Sequence, residues 1–442
     1  MTRHRAALVL ITLFFAGALI AAPCLPPEPR ALLAMEGAVQ PLRTAEPYGD
    51  LSDLRPFGHM VANARVVGMG EATHSSHEFF TMKHRVLRYL VENKGFRAFA
   101  LETSWSSGLR LDEYVLTGEG DPRQVMREEF QGAYAWWNTE EYLALVEWMR
   151  AYNIRHPADP VRFVGDDFAY AGPELYDKVL AYVAQGHPAL LHRFTDLYRG
   201  LRPTTTAGTY MRRYLTYPLD ERRSRAKRAE RALTLLKSLP VCSGARRATY
   251  DRAVQNATAI TQTAQGYAFD FEDQRQLKAA MRFRDRIMAD NVAWWHAHTG
   301  HKILLSAHNA HVSYRTSDPR YPKMQGAFLH ERFGADYVSV GATFGRGSFN
   351  ATGPDNRTRV HTVGPATRGS TEYLLDQVSP RDYAVDVRTV PKAARTWLLT
   401  ARPTRSIGTS YPGPESLIAP ARSHDILIHL HQVRPAGLLA IP

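Results

Sequence analysis

An apolar run, VVGMG, stops at a glutamate and a histidine three residues apart, Glu71 and His74. A second run, FRAFAL, ends in Glu102. A third, VRFVG, ends in Asp166 and Asp167, and a fourth, HKILLSA, ends in His308 and His311. A histidine titrating near neutrality takes a proton from water when another group orients its second ring nitrogen. Glu71 or Glu102 can supply that orientation, and His308 or His311 can polarise a carbonyl or protonate a leaving oxygen. Together these residue types describe a hydrolase that activates water and forms no covalent enzyme intermediate. Asp166 and Asp167 read equally well as caps or turn residues. Trp136, Trp137, Trp294 and Trp295 read first as packing, and in QGAYAWWNTEE Tyr134 and Trp136 are also candidates to face an apolar substrate.

Other chemistries have weaker sequence support. Glutamate and histidine also bind divalent ions, so a metal-dependent hydrolase using the same cluster is one alternative. HEFFTMK is not H-E-x-x-H, however, and no H-x-H or D-x-H pair marks these four run ends. Cys24 and Cys242 are the only cysteines, too few for a cysteine-based metal cluster. No G-x-S-x-G exists to supply a serine nucleophile; the nearest likeness is GATFG, with Thr343 at its centre. A third alternative is a non-catalytic protein that holds its ligand without consuming it.

Positioning such a set needs a scaffold. VVGM and FRAFALE read as buried strands, and HEFFTMKHRVLRYLVENK between them has apolar residues at helical spacing, with Gly95 at the stop position. Strand, helix and strand within forty residues form a βαβ unit with parallel strands. EEYLALVEWMRAYNIR and RDRIMADNVAWWHAHT read as further helices, and ADYVSVGATFG and HDILIHLHQ as later strands. The expected fold is α/β, a mostly parallel sheet flanked by helices. A helical insertion over 173–300 lies over the strand ends. In a parallel sheet the carboxyl ends of the strands share one edge, where ligands bind, so the acids and histidines converge there.

Composition sets the surroundings. Apolar residues make up 44% and charged residues 22%, as in ordinary soluble domains. Arg3 and Arg5 precede an apolar run over 6–22, which reads as a secretory signal peptide and predicts a secreted, periplasmic or cell-envelope protein. Residues 23–60 read as a linker with one short helix, and 61–442 as the catalytic domain. The net charge of +12 suits loose association with an anionic envelope. No nucleic-acid recognition module is present, and ERRSRAKRAER reads as a solvated helix face.

Several blocks in order carry a resemblance. VVGMGEATHSSHEFF, WWNTEEYLALVEWMRAYN, RDRIMADNVAWW, ILLSAHNAHV, RSIG and HDILIHLHQVRPA resemble successive segments of the erythromycin esterase family. The resemblance implies hydrolytic opening of a macrolactone without metal or other cofactor. It implies His74 as the water-activating base, with supporting roles for Glu71, Glu102, His308 and His311. The small-molecule partner is an ester or macrolactone. Active family members carry arginine at the place of Lys83, where lysine keeps the charge but not the planar fork. Lys83 and Arg85 are thus candidate substrate contacts, although two residues apart on a helix they face different ways.

Overall fold

The computed structural model describes residues 28–240 and 245–440. The expected signal peptide, Cys24 and Cys242 lie outside the described residues. Among the described residues eleven strands form in chain order: β1 (Gln40–Pro41), β2 (Val66–Met69), β3 (Phe96–Ser104), β4 (Arg162–Asp167), β5 (Lys302–Ser306), β6 (Tyr337–Thr352), β7 (Thr358–Val363), β8 (Tyr383–Asp386), β9 (Arg402–Thr404), β10 (Ser416–Ile418) and β11 (Ile426–Val433). The main sheet runs β1-β8-β11-β6-β2-β5-β3-β4, with β7 folded back on β6. The six strands from β11 to β4 are mutually parallel, while β1, β8 and β7 pair antiparallel. Strands β9 and β10 form a separate antiparallel pair.

The central strands are apolar runs because both faces are covered. Every residue of β2 is buried, as is every residue of β5 after Lys302. Helix His77–Lys94 ends at Gly95, in the left-handed conformation that the sequence signalled. Strands β2 and β3, joined through this helix, are parallel, but β5 pairs between them. The region between β4 and β5 is helical from Pro173 to Thr299, broken by a short 3₁₀ turn and loops.

The stretch before β2 is more ordered than a linker. From Glu28 it forms helix Glu28–Glu36, then β1, which extends the sheet through β8, then helix Arg55–Met60. Ala31, Met35 and Val39 pack with Trp397, Leu398 and Leu427 in a core of their own. The Ala- and Pro-rich sequence hides this because its elements are short and β1 pairs with a strand far along the chain.

Candidate active site

The carboxyl edge of β2, β5, β3 and β4 opens into a cavity of about 880 Å³. His74, Glu102, His308 and His311 line it, together with Trp136, Trp137, Asp167 and Arg284. Residues up to 237 positions apart (311 − 74) therefore meet where the strand ends predicted.

His74 follows β2 on the loop that starts the His77–Lys94 helix. Its Nδ1 lies 2.8 Å from Glu71 Oε1. A carboxylate only accepts, so Nδ1 carries the proton and Nε2 is left bare. Of the two glutamates that could have oriented His74, Glu71 does so here. Glu71 is fully buried, and its other oxygen accepts from Lys83 Nζ. Lys83 also donates to Ser306 Oγ at 2.9 Å, and Tyr142 OH is 2.9 Å from that same oxygen. Burial lowers the Lys83 ammonium below its ordinary range, against the pull of Glu71. Lys83 therefore anchors the glutamate behind His74 and does not line the cavity.

His308 has the opposite tautomer. The backbone N–H of Ala310 donates to its Nδ1 at 3.2 Å, so the proton resides on Nε2. That Nε2 is buried and has no protein partner among the described residues. Its ring centroid is 5.0 Å from that of His74. Burial, then the neighbouring His74, pushes His308 well below the usual histidine range, which keeps it a neutral donor. Trp137 meets the His74 ring edge-on at 5.5 Å. Gly408 covers both rings: a Cβ there would be 3.8 Å from His74 Cδ2 and 3.9 Å from His308 Nε2. Its φ of +62° suits glycine on backbone grounds as well. The Gly408 carbonyl also accepts from the His74 backbone N–H at 3.1 Å.

Behind this pair lies a charge network. Glu102 accepts the His308 backbone N–H at 3.0 Å and Arg284 Nη2 at 2.8 Å. Arg284 also bonds Asp167 at 2.7 Å, so its guanidinium sits between the two acids. His311 places Nδ1 2.7 Å from Asp285 and Nε2 3.3 Å from Glu102. Burial opposes charge on Glu102, but His311, His74 and Arg284 outweigh it and hold its carboxyl well below the ordinary range. Burial likewise opposes charge on His311, and Glu102 and Asp285 overcome it, raising the imidazole.

Four residues expected at the substrate are placed elsewhere. Arg85 is fully buried and pairs with Asp53 at 2.6 Å, tying the helix to the N-terminal segment. Asp166 is buried beneath the network, where it accepts from Gln325 Nε2 at 2.7 Å. Burial, then Asp167, pushes its carboxyl well up. Tyr134 is buried with its OH accepting from Ala169 N at 2.8 Å. Lys83 is the fourth, and only Trp136 of these candidates lines the cavity. Sequence reasoning passed over Arg284 and Asp285, which lie inside helix Gln274–Thr299 and resemble any charged helical face. It also passed over Gly408, which no periodicity marks.

Comparison with known proteins bears on the chain as a whole. The family model described as erythromycin esterase matches residues 91–433, which include Glu102, Arg284, His308 and His311 but not Glu71 or His74. An erythromycin esterase type II of Escherichia coli is 23% identical over 72% of this chain and 78% of its own. A putative hydrolase, YbfO, of Bacillus subtilis is 21% identical over 88% of each. A Bacillus cereus protein of known crystal structure is 28% identical, covers 93% of this chain and 99% of its own, and superposes with a TM-score of 0.83. A structure described as a succinoglycan biosynthesis protein gives 28%, 93%, 99% and 0.82. With its matched span covering most of the sequence, this chain belongs to the erythromycin esterase family.

Proposed function

We propose that this protein is an exported hydrolase that opens an ester or lactone by direct attack of water. Two histidines of opposite tautomer, side by side under Gly408, support this reading above all else. His74 Nε2 accepts a proton from water as the oxygen attacks the carbonyl carbon. His308 Nε2–H donates to the carbonyl oxygen, where negative charge develops. Glu71, backed by Lys83, stabilises the imidazolium formed on His74. As the tetrahedral intermediate collapses, the C–O bond to the alcohol breaks and His74 returns its proton to the leaving oxygen. The products are a carboxylic acid and an alcohol, which in a lactone remain one molecule.

Arg284 supplies the positive charge that Glu102 and Asp167 require, a role a metal would fill in a metal-dependent variant of this site. The volume of the cavity and its Trp136 and Trp137 walls suit a large, partly apolar ester, and the Escherichia coli relative is named for a macrolide. Export rests on Arg3, Arg5 and the apolar run over 6–22. Removing it takes the net charge from +12 to +10 (12 − 2) and leaves a basic protein suited to anionic envelope surfaces.

His74→Ala is expected to lower turnover about a thousandfold or more with the thermal midpoint little changed. Hydrolysis in ¹⁸O-labelled water should place label in the acid product in a single turnover. Full activity in the variant, or an acyl adduct on the protein by mass spectrometry, overturns the reading; loss of activity with a chelator and its return with a divalent ion would favour the metal-dependent form.

A further inference from the structure

The cavity extends along the sheet, away from His74, to a second histidine that the reaction does not use. His424, just before β11, is 7% exposed and lines the cavity with Gly341 and Leu427. Its Nδ1 is 2.9 Å from Ser339 Oγ. The Ser339 hydroxyl donates to the Val312 carbonyl at 2.7 Å, so its oxygen has only lone pairs to offer the ring. The proton therefore lies on His424 Nδ1, and Nε2 is an acceptor. No protein donor among the described residues meets Nε2. Burial alone pushes the ring down to about 4, so it stays neutral at physiological pH.

The ring is seated against backbone at a point where a side chain would not fit. A Cβ on Gly341 would lie 2.6 Å from the ring Cδ2 and 2.9 Å from Nε2. Three of the threonine hydroxyls that line the same cavity are already engaged. Thr371 and Thr404 bond each other at 2.6 Å, and Thr343 bonds His429 Nδ1 at 2.9 Å. His424 is thus a pre-oriented acceptor with no assigned donor. It stands beside β11, and in sheet order β6 separates β11 from β2. Two strand spacings put it on the order of 10 Å from the reacting centre, a distance a large ester spans.

We infer that His424 Nε2 is a specificity-determining acceptor that reads a hydroxyl on the non-reacting part of the ester. This rests on the proposed hydrolysis for the identity of the ligand as an ester, but the contact itself is a binding claim. A buried acceptor left unpaired by a deoxy ligand is costly, so the site discriminates against a substrate that lacks the hydroxyl.

The test is calorimetric binding to His74→Ala protein, where turnover does not intervene. The probes are hydroxylated macrolactones, each paired with its deoxy counterpart. For at least one pair, the hydroxylated member should bind about tenfold or more tightly. Adding His424→Phe should reduce that ratio to about twofold or less, and His424→Gln, which keeps an acceptor, should recover part of it. Should the phenylalanine variant fail to fold, His424→Leu takes its place with the same expected ratio. An unchanged ratio in whichever apolar variant folds, no hydroxyl preference in any pair, or no binding by the whole panel overturns the inference. Preference without hydrolysis by wild-type protein would retain the subsite and reject the proposed reaction.

Discussion

At the scale of single residues, the proposed base His74 is only as good as what stands behind it. Lys83 and Glu71 are both 0% exposed and paired. Deleting one member of such a pair leaves the other charge buried alone, which costs about 3–5 kcal/mol. Lys83→Met should therefore lower the urea midpoint by a corresponding amount. In whatever protein remains folded, it should also lower kcat more than it raises KM, because Glu71 no longer holds His74. Arg85 makes the contrast. Its partner is Asp53, outside the cavity, so Arg85→Ala should cost stability of similar size and leave KM within about twofold of wild type. The two cations are two positions apart on one helix. Their spacing told the sequence reader that they diverge, but not which was tied to the base, because a helix period reports faces and not partners.

At the scale of elements, the strands were legible and their neighbours were not. Continuous apolar runs ending in Gly, Glu, Asp or His mark β2 to β5 because both sheet faces are buried. The seating of β5 between β2 and β3 is invisible to periodicity, since it is set by a return from more than 190 positions away (302 − 104 = 198). Arg284 and Asp285 were missed for a related reason: two charges within a long helix signal solvent unless the helix is known to cross a strand edge. The contact between β3 and β4 is close enough to test. A Cβ on Gly165 would lie 1.8 Å from the Ser104 carbonyl oxygen. Neither atom belongs to a flexible side chain, so Gly165→Ala must displace β4 and with it Asp166 and Asp167. The expected outcome is a loss of about 3 kcal/mol or more, seen as a lowered thermal midpoint or as insoluble protein.

At the scale of the whole molecule, buried histidines set the response to acid. Burial, then Arg88, pushes His84 down to about 3, and burial pushes His424 down to about 4. Both groups have their ordinary value near 6.5 in the unfolded chain. Below that pH the unfolded state takes up protons that the folded state refuses, so stability falls as pH drops from 6.5 toward 4. The slope is about 1.4 kcal/mol per pH unit for each histidine. His77 acts at the other limit. Its bonds to Glu141 and Glu46 raise it to about 9 against the effect of burial. That contribution is fully present below 6.5 and is lost as pH rises through 9. Thermal midpoints at pH 5, 7.5 and 10 should therefore peak at the middle value; a midpoint that rises steadily toward acid would contradict the assignment. The loop that roofs the two rings has a temporal consequence as well. Gly408 is 334 positions after His74 (408 − 74), and ribosomes add about 5–20 residues each second. For roughly 15 to 70 s after His74 is made, the nascent chain holds that ring without its ceiling, and the proposed chemistry waits for the late segment.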